Sequence, residues 1–227
     1  MKLNKLFFLA AIFSAVLIFA GCTGTDVVAK VSVTSFDELV KSIPDQISES
    51  ENLEWILKGP DNKEGLIVSK DFGSSQPDIV MEVDAEPFLA AGLDLSKLPG
   101  EQYSFFEPDN KIMLSFEYGT DKFENDADKS MLDTFKQIVK IHRNIIGYHE
   151  EGDHYKIILG NGNSYAWAKD LSSNKTDMAF ILNPQPLIEA GVNTEKLKEW
   201  VFTKMPVTDK DGKPSQVDVF IKSFNIK

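Results

Sequence analysis

Residues 70–98, KDFGSSQPDIVMEVDAEPFLAAGLDLSKL, recur 99 positions later as residues 169–197, KDLSSNKTDMAFILNPQPLIEAGVNTEKL. Nine of these 29 positions are identical without a gap, among them Asp78/Asp177, Pro87/Pro186, Ala91/Ala190 and Gly92/Gly191. Many of the others exchange like for like, as in Val83/Leu182, Asp84/Asn183 and Asp94/Asn193. Self-similarity at a fixed period is the mark of a repeated structural unit, so the chain reads as one small backbone plan used twice.

The repeated stretch carries its own punctuation. DIVMEV at 78–83 and DMAFIL at 177–182 read as strands, the second apolar throughout and therefore the more buried. Each runs into a residue suited to open a helix, Asp84 or Asn183, followed by Pro87 or Pro186 in the first turn, where a missing N–H costs nothing. Gly92 or Gly191 then supplies a left-handed residue to end that short helix, and Asp94 or Asn193 caps a further turn.

The correspondence extends in both directions. Ser35-Phe-Asp-Glu38 is a capping box for a helix with Phe36, Leu39, Val40 and Ile43 on one face, ended by Pro44. In the second copy Ser130 opens a longer helix with Met131, Leu132, Phe135, Ile138, Val139, Ile145 and Ile146 at helical spacing and Gly147 as its C-cap. Two strands follow each helix, 53–57 with 66–69 and 155–159 with 165–168. The Asn161-Gly162 turn is the stronger hairpin signal because both residues accept positive φ. Each copy closes with another pair, 102–106 with 112–118 and 200–205 with 217–224. Alternation in VDVFIK at 217–222 suggests one wet face. The expected class is α+β: two tandem repeats of helix–hairpin–strand–short helix–hairpin, at 35–120 and 128–227, with a mostly antiparallel sheet. The acidic stretch 119–129 links them.

Upstream of the repeats the sequence reads as an address. Lys2 and Lys5 form a short basic segment, and residues 6–20 (LFFLAAIFSAVLIFA) are an unbroken apolar run. That run is short of the roughly 20 residues a membrane span needs but fits a signal-peptide core. It ends at Phe19-Ala20-Gly21-Cys22, and Cys22 is the sole cysteine of the chain. Small residues before a lone cysteine resemble the lipobox of prokaryotic lipoproteins, with Phe19 standing where that family usually has leucine. The resemblance covers residues 1–22. It implies a signal peptide at 1–21 cleaved before a diacylglyceryl-modified Cys22, a tether at 22–34, and anchoring to the extracytoplasmic face of the cell membrane or outer membrane. Two or three acyl chains hold a protein stably at a bilayer.

Composition narrows the function. The net charge is −11; removing residues 1–21, with two lysines and no acids, gives −11 − 2 = −13. Such a surface repels phosphate backbones, so nucleic acid is not an expected partner. One cysteine permits no intramolecular disulfide and no cysteine-based metal site.

The three histidines, His142, His149 and His154, lie within 13 residues and are interleaved with Glu150, Glu151 and Asp153. Imidazole with carboxylate suits a divalent ion such as zinc. The spacing in His149-Glu-Glu-Gly-Asp-His154 is one residue longer than the zinc-protease motif and is interrupted by Gly152. His142 falls on the apolar stripe of the expected second helix, where a packed histidine is the ordinary explanation. No nucleophile elbow is present. Asp71-Phe-Gly73 lacks the loops that give this tripeptide meaning in kinases, and Asp209-Lys-Asp-Gly212 meets Pro214 instead of completing a calcium loop. Trp55, Trp167 and Trp200 fall in expected strands and suit core packing better than an aromatic-lined groove.

The sequence therefore leads to a membrane-anchored, non-enzymatic binding or interaction module without cofactor or catalytic residues, taking a protein, peptide or small molecule between the repeats. A divalent-metal-binding protein or metal-dependent hydrolase on His142, His149 and His154 is the alternative. An inhibitor or accessory subunit docking on another exported protein is a third.

Overall fold

The computed structural model describes residues 31–32, 47–49, 54–69, 77–117, 147–151, 154–168, 170–171, 176–208 and 213–225. Cys22, the two longer helices expected over 35–43 and 130–146, and His142 lie outside the described residues.

The first sheet contains β2 (Ile47–Glu49), β3 (Glu54–Lys58), β4 (Gly65–Ser69), β5 (Ile79–Asp84), β6 (Tyr103–Phe106) and β7 (Lys111–Phe116) in the order β2-β3-β4-β5-β7-β6. The second contains β8 (Gly147–Glu151), β9 (His154–Gly160), β10 (Asn163–Ala168), β12 (Met178–Leu182), β13 (Val201–Thr208) and β14 (Pro214–Phe224). Read from β8, its order is β8-β9-β10-β12-β14-β13. Counting only the members of each sheet, the two orders are the same. All pairings in both are antiparallel. A small third sheet joins β1 (Val31–Ser32) to β11 (Asp170–Leu171).

This architecture corrects the expected α+β class. Among the described residues the protein is mostly antiparallel sheet, and its α-helix is confined to two five-residue segments, Glu86–Ala90 and Gln185–Glu189. Their shortness follows from the sequence. A proline fixes the first turn of each, and Gly92 (φ +104°) and Gly191 (φ +107°) turn the chain out of the helix immediately after it. Segments this short are not stable helices by themselves. Phe88 and Leu187, both buried, tie them to the core, at about 1.5–3 kcal/mol for each large apolar side chain taken out of water.

Asp84 and Asn183 act at the helix starts from just outside them. The Glu86 N–H donates to Asp84 Oδ1 at 3.0 Å, and the Gln185 N–H to Asn183 Oδ1 at 3.1 Å. A second difference lies at Gly147. There Gly147 opens β8, a strand the sequence reading did not place, which pairs antiparallel with β9; the helix it was expected to end lies outside the described residues.

The inner faces of both sheets meet in one hydrophobic core. Period-2 alternation in β5 and β7 sends Ile79, Met81, Val83, Ile112, Leu114 and Phe116 inward from the first sheet. Tyr165, Trp167, Phe180, Leu182 and Phe220 come from the second. Trp167 and Trp200 are both buried there. The second sheet is apolar on its other face as well, where Ala166, Ile181, Met205, Val219 and Ile221 cluster. That accounts for the uninterrupted apolar run of β12 and leaves no wet face in the C-terminal half of β14, because Val219 to Lys222 are all buried.

Candidate functional site

The repeats touch at their helix-ending turns. The Asp94 N–H donates to the Ala190 carbonyl at 2.8 Å, and the Asn193 N–H donates to the Ala91 carbonyl at 2.9 Å. Asp94/Asn193 and Ala91/Ala190 are both pairs at the 99-residue spacing, so these two hydrogen bonds are reciprocal across a two-fold-like seam. The turns are in backbone contact at this point. A Cβ built on Gly191 would lie 2.8 Å from the Gly92 carbonyl oxygen, and one on Gly92 would lie 3.1 Å from that of Gly191. Phe88 of the first repeat packs on Trp200 and Phe220 of the second, with ring centroids 5.5 and 6.1 Å away.

Register identifies the equivalent residues along the seam. Met81 pairs with Leu66 and Leu114, while its counterpart Phe180 pairs with Tyr165 and Lys222. Leu114 thus corresponds to Lys222, Phe116 to Phe224, and Glu64 to Asn163. In the outer strands Phe105 pairs with Ile112 and Phe202 with Phe220, which makes Gln102 the counterpart of Glu199. Asn62 and Asn161 are the left-handed asparagines of the two hairpin turns, at φ +60° and +50°.

One end of the seam is closed by ions. Lys222 Nζ lies 2.9 Å from Glu64 Oε1, 3.1 Å from Glu199 Oε2 and 3.4 Å from Asp61 Oδ2, and 5.5 Å from the centre of the Phe224 ring. Glu64 is fully buried, and its other oxygen, Oε2, has no hydrogen-bond partner. Burial pushes the Glu64 carboxyl up to about 7, against the opposing pull of the Lys222 hydrogen bond and charge. Burial alone would lower the Lys222 ammonium, but Glu64, Glu199 and Asp61 outweigh it and hold the pKa above its ordinary value. Lys63, bonded to Asp84 Oδ2 at 3.1 Å and 3.6 Å from Glu199, extends the group. Lys111 Nζ donates to the Asn62 and Lys63 carbonyls. Glu199 itself sits at φ +67°, a conformation uncommon for a residue with a side chain.

The other end is an open groove of about 390 Å³. Glu101, Gln102, Phe116 and Glu117 line it from the first repeat, and Leu159 and Asn161 from the second. Where Glu199 grips Lys222 at the closed end, Gln102 Oε1 here accepts one long hydrogen bond, 3.4 Å, from Asn161 Nδ2. The Gln102 Nε2 is shielded and without a partner. Asn163, the counterpart of Glu64, is satisfied locally: it donates to the Gly160 and Asn161 carbonyls and accepts from the Asn183 N–H.

The sequence-derived metal candidates fall elsewhere. His149 pairs with Lys156 across the β8–β9 hairpin, and His154, buried, pairs with Glu151. Among the described residues no three His, Cys, Asp or Glu side chains group as a metal site, and no helix is long and apolar enough to cross a membrane. Burial pushes Tyr103 up to about 12 and holds Tyr165 well above its ordinary value, which leaves neither phenol as an acid or base near neutral pH.

Sequence reasoning passed over Lys222, Glu64, Glu199 and Gln102. The Leu114–Lys222 equivalence emerges only from strand register, since the two lie 222 − 114 = 108 positions apart and not at the repeat spacing of 99. The chain matches no protein-family model, no curated protein and no solved structure. Its class is the one its own geometry defines: two equivalent antiparallel sheets sharing one core and meeting at a seam with one closed and one open end.

Proposed function

We propose that the chain is a lipid-anchored, extracytoplasmic protein acting as a non-enzymatic binding module, its ligand seated in the open groove between the repeats. The observation that carries this reading is that one wall of the groove comes from each repeat, with polar and apolar groups mixed (Gln102, Asn161, Phe116, Leu159). Small-molecule and peptide sites favour concave places of this kind at junctions between structural units. The lipobox-like Phe19-Ala20-Gly21-Cys22 supplies the anchor, and the acidic charge suits a body held off anionic headgroups.

Two measurements test the two halves of the reading. In cells fed radiolabelled palmitate the full chain is expected to carry label and sediment with membranes, and Cys22→Ser to lose both. Label retained by Cys22→Ser would remove the anchor. For the groove, hydrogen exchange of the purified lipoprotein with and without envelope extract is expected to show protection in 99–102, 115–117 and 159–161. Unchanged exchange in all three segments would remove the binding reading.

A further inference from the structure

We infer that the pairing of β1 with β11 fixes which end of the protein faces the bilayer, so that the open groove points away from the membrane and takes its ligand from the aqueous side. The inference rests on the lipid anchor of the proposed function and adds where the ligand comes from. Val31 and Ser32 pair with Leu171 and Asp170, and Leu171 is wholly buried in the shared core. The chain leading from the anchor is thereby held to the body at β11. That strand begins two residues after Ala168, where β10 ends. The groove lies past the opposite end of β10, at the Gly160-Asn161 turn ahead of Asn163. The six residues of β10 therefore separate the two, roughly 17 Å at about 3.3 Å per step.

The connection from Cys22 to Val31 makes 31 − 22 = 9 steps, which reach at most about 30 Å however the chain is arranged. With the groove outward, the anchor and Val31 lie close together and the connection is unstretched. With the groove against the bilayer, Val31 would stand off by at least the length of β10, more than half of that reach. A stretched connection has fewer conformations, so entropy disfavours this orientation. The carboxylates of Glu101 and Glu117 at the groove add repulsion from anionic headgroups. A water-borne ligand suits the groove so placed, and a bilayer lipid does not.

Energy transfer in phosphatidylcholine vesicles carrying a headgroup-linked acceptor tests this with the full lipoprotein. Cys22 is the sole cysteine and carries lipid in the anchored form, so an introduced thiol is the one that a membrane-impermeant maleimide dye labels. Ser223→Cys reports from the β11 end of the second sheet, where Ser223 pairs with Ala179, and Glu101→Cys reports from the groove. Both residues are exposed. The dye on Glu101→Cys is expected to lie on the order of 15 Å farther from the headgroups than the dye on Ser223→Cys. Inserting about 20 Gly/Ser residues after Thr25 should shrink that difference, because the longer connection no longer holds one end down. Equal transfer at the two sites, higher transfer from Glu101→Cys, or a difference untouched by the insertion would overturn the inference. Flotation with the vesicles is measured alongside. Protein that fails to float removes the anchor and the orientation with it, whereas floating protein with the wrong order of distances removes the orientation alone.

Discussion

Gly191→Ala is expected to destabilise the fold by about 3 kcal/mol. A side chain at φ +107° costs roughly 1–2 kcal/mol, and forcing an extra methyl into a packed contact typically adds about 1–3 more. The contact is with backbone, the Gly92 carbonyl oxygen 2.8 Å from the new Cβ, so no side chain can swing aside. Gly92→Ala meets the Gly191 oxygen at 3.1 Å, a slightly looser approach, and is expected to cost about 2 kcal/mol. The informative variant is the double one. Once the seam has opened for the first methyl, the second enters at little further steric cost, so the double variant should fall short of the sum of the singles. Urea denaturation of the four proteins measures this. Strict additivity, or a Gly191→Ala effect inside the usual half-kilocalorie of a surface substitution, would contradict a seam in direct backbone contact.

The second large effect concerns the closed end and carries a pH signature. The Glu64 carboxyl is held above its ordinary value of 4.5, at about 7, chiefly by burial. The folded protein therefore binds a proton more tightly than the unfolded chain between those limits. The stability Glu64 contributes is fully present below about 4.5 and is lost as pH rises through about 7. At about 1.4 kcal/mol per pH unit, the loss is on the order of 3 kcal/mol. Groups facing Glu64 are Lys222, Asp61 and Lys111. The Lys222 ammonium stays protonated throughout this window because its pKa lies above 10.5. Glu64→Gln should lack this component, so wild type minus variant stability should decline from pH 5 to pH 8 and level off above that. A difference independent of pH would show that Glu64 ionises as an ordinary surface acid.

Lys222→Met is expected to do the opposite harm. It leaves a buried carboxylate without its main counter-ion, a change that typically costs about 3–5 kcal/mol. The cost should be larger at pH 8 than at pH 5, because without Lys222 burial pushes the Glu64 carboxyl up further and it must take a proton from solution to stay buried. Adding Glu64→Gln to Lys222→Met should recover most of it, since replacing both members of a buried pair is far milder than orphaning one. No recovery in the double variant would mean that Lys222 acts through Glu199 and Asp61 instead.

The local punctuation of the two repeats was legible in the sequence. Asp84, Pro87, Gly92 and their partners at 183, 186 and 191 all carry local meaning, because they act on hydrogen bonds and dihedral angles within a few residues of themselves. The Asn161-Gly162 hairpin belongs with them, at φ +50° and +81°. The fold class was misread for the complementary reason. Gly147 and the residues after it look like the end of a helix when taken with the apolar periodicity upstream. Their role as β8 depends on the edge that β9 offers. A free strand edge is a property of the sheet and has no local code.

Lys222 shows the same limit at the site. Within VDVFIK the local alternation sets it on a solvated face, yet it is buried, bonded to a carboxylate 158 positions earlier in the chain. Nothing within hydrogen-bonding reach along the sequence announces that partner. The sequence by itself determined that one backbone plan is used twice, where its turns fall and where glycine is obligatory, since each follows from steric rules that operate over a few bonds. Tertiary structure alone decided that the two copies share a core and that a lysine closes one end of their seam while its register counterpart at the other end is a buried leucine. Those outcomes depend on which distant groups desolvate one another, and burial is a property of the assembled fold, not of any segment.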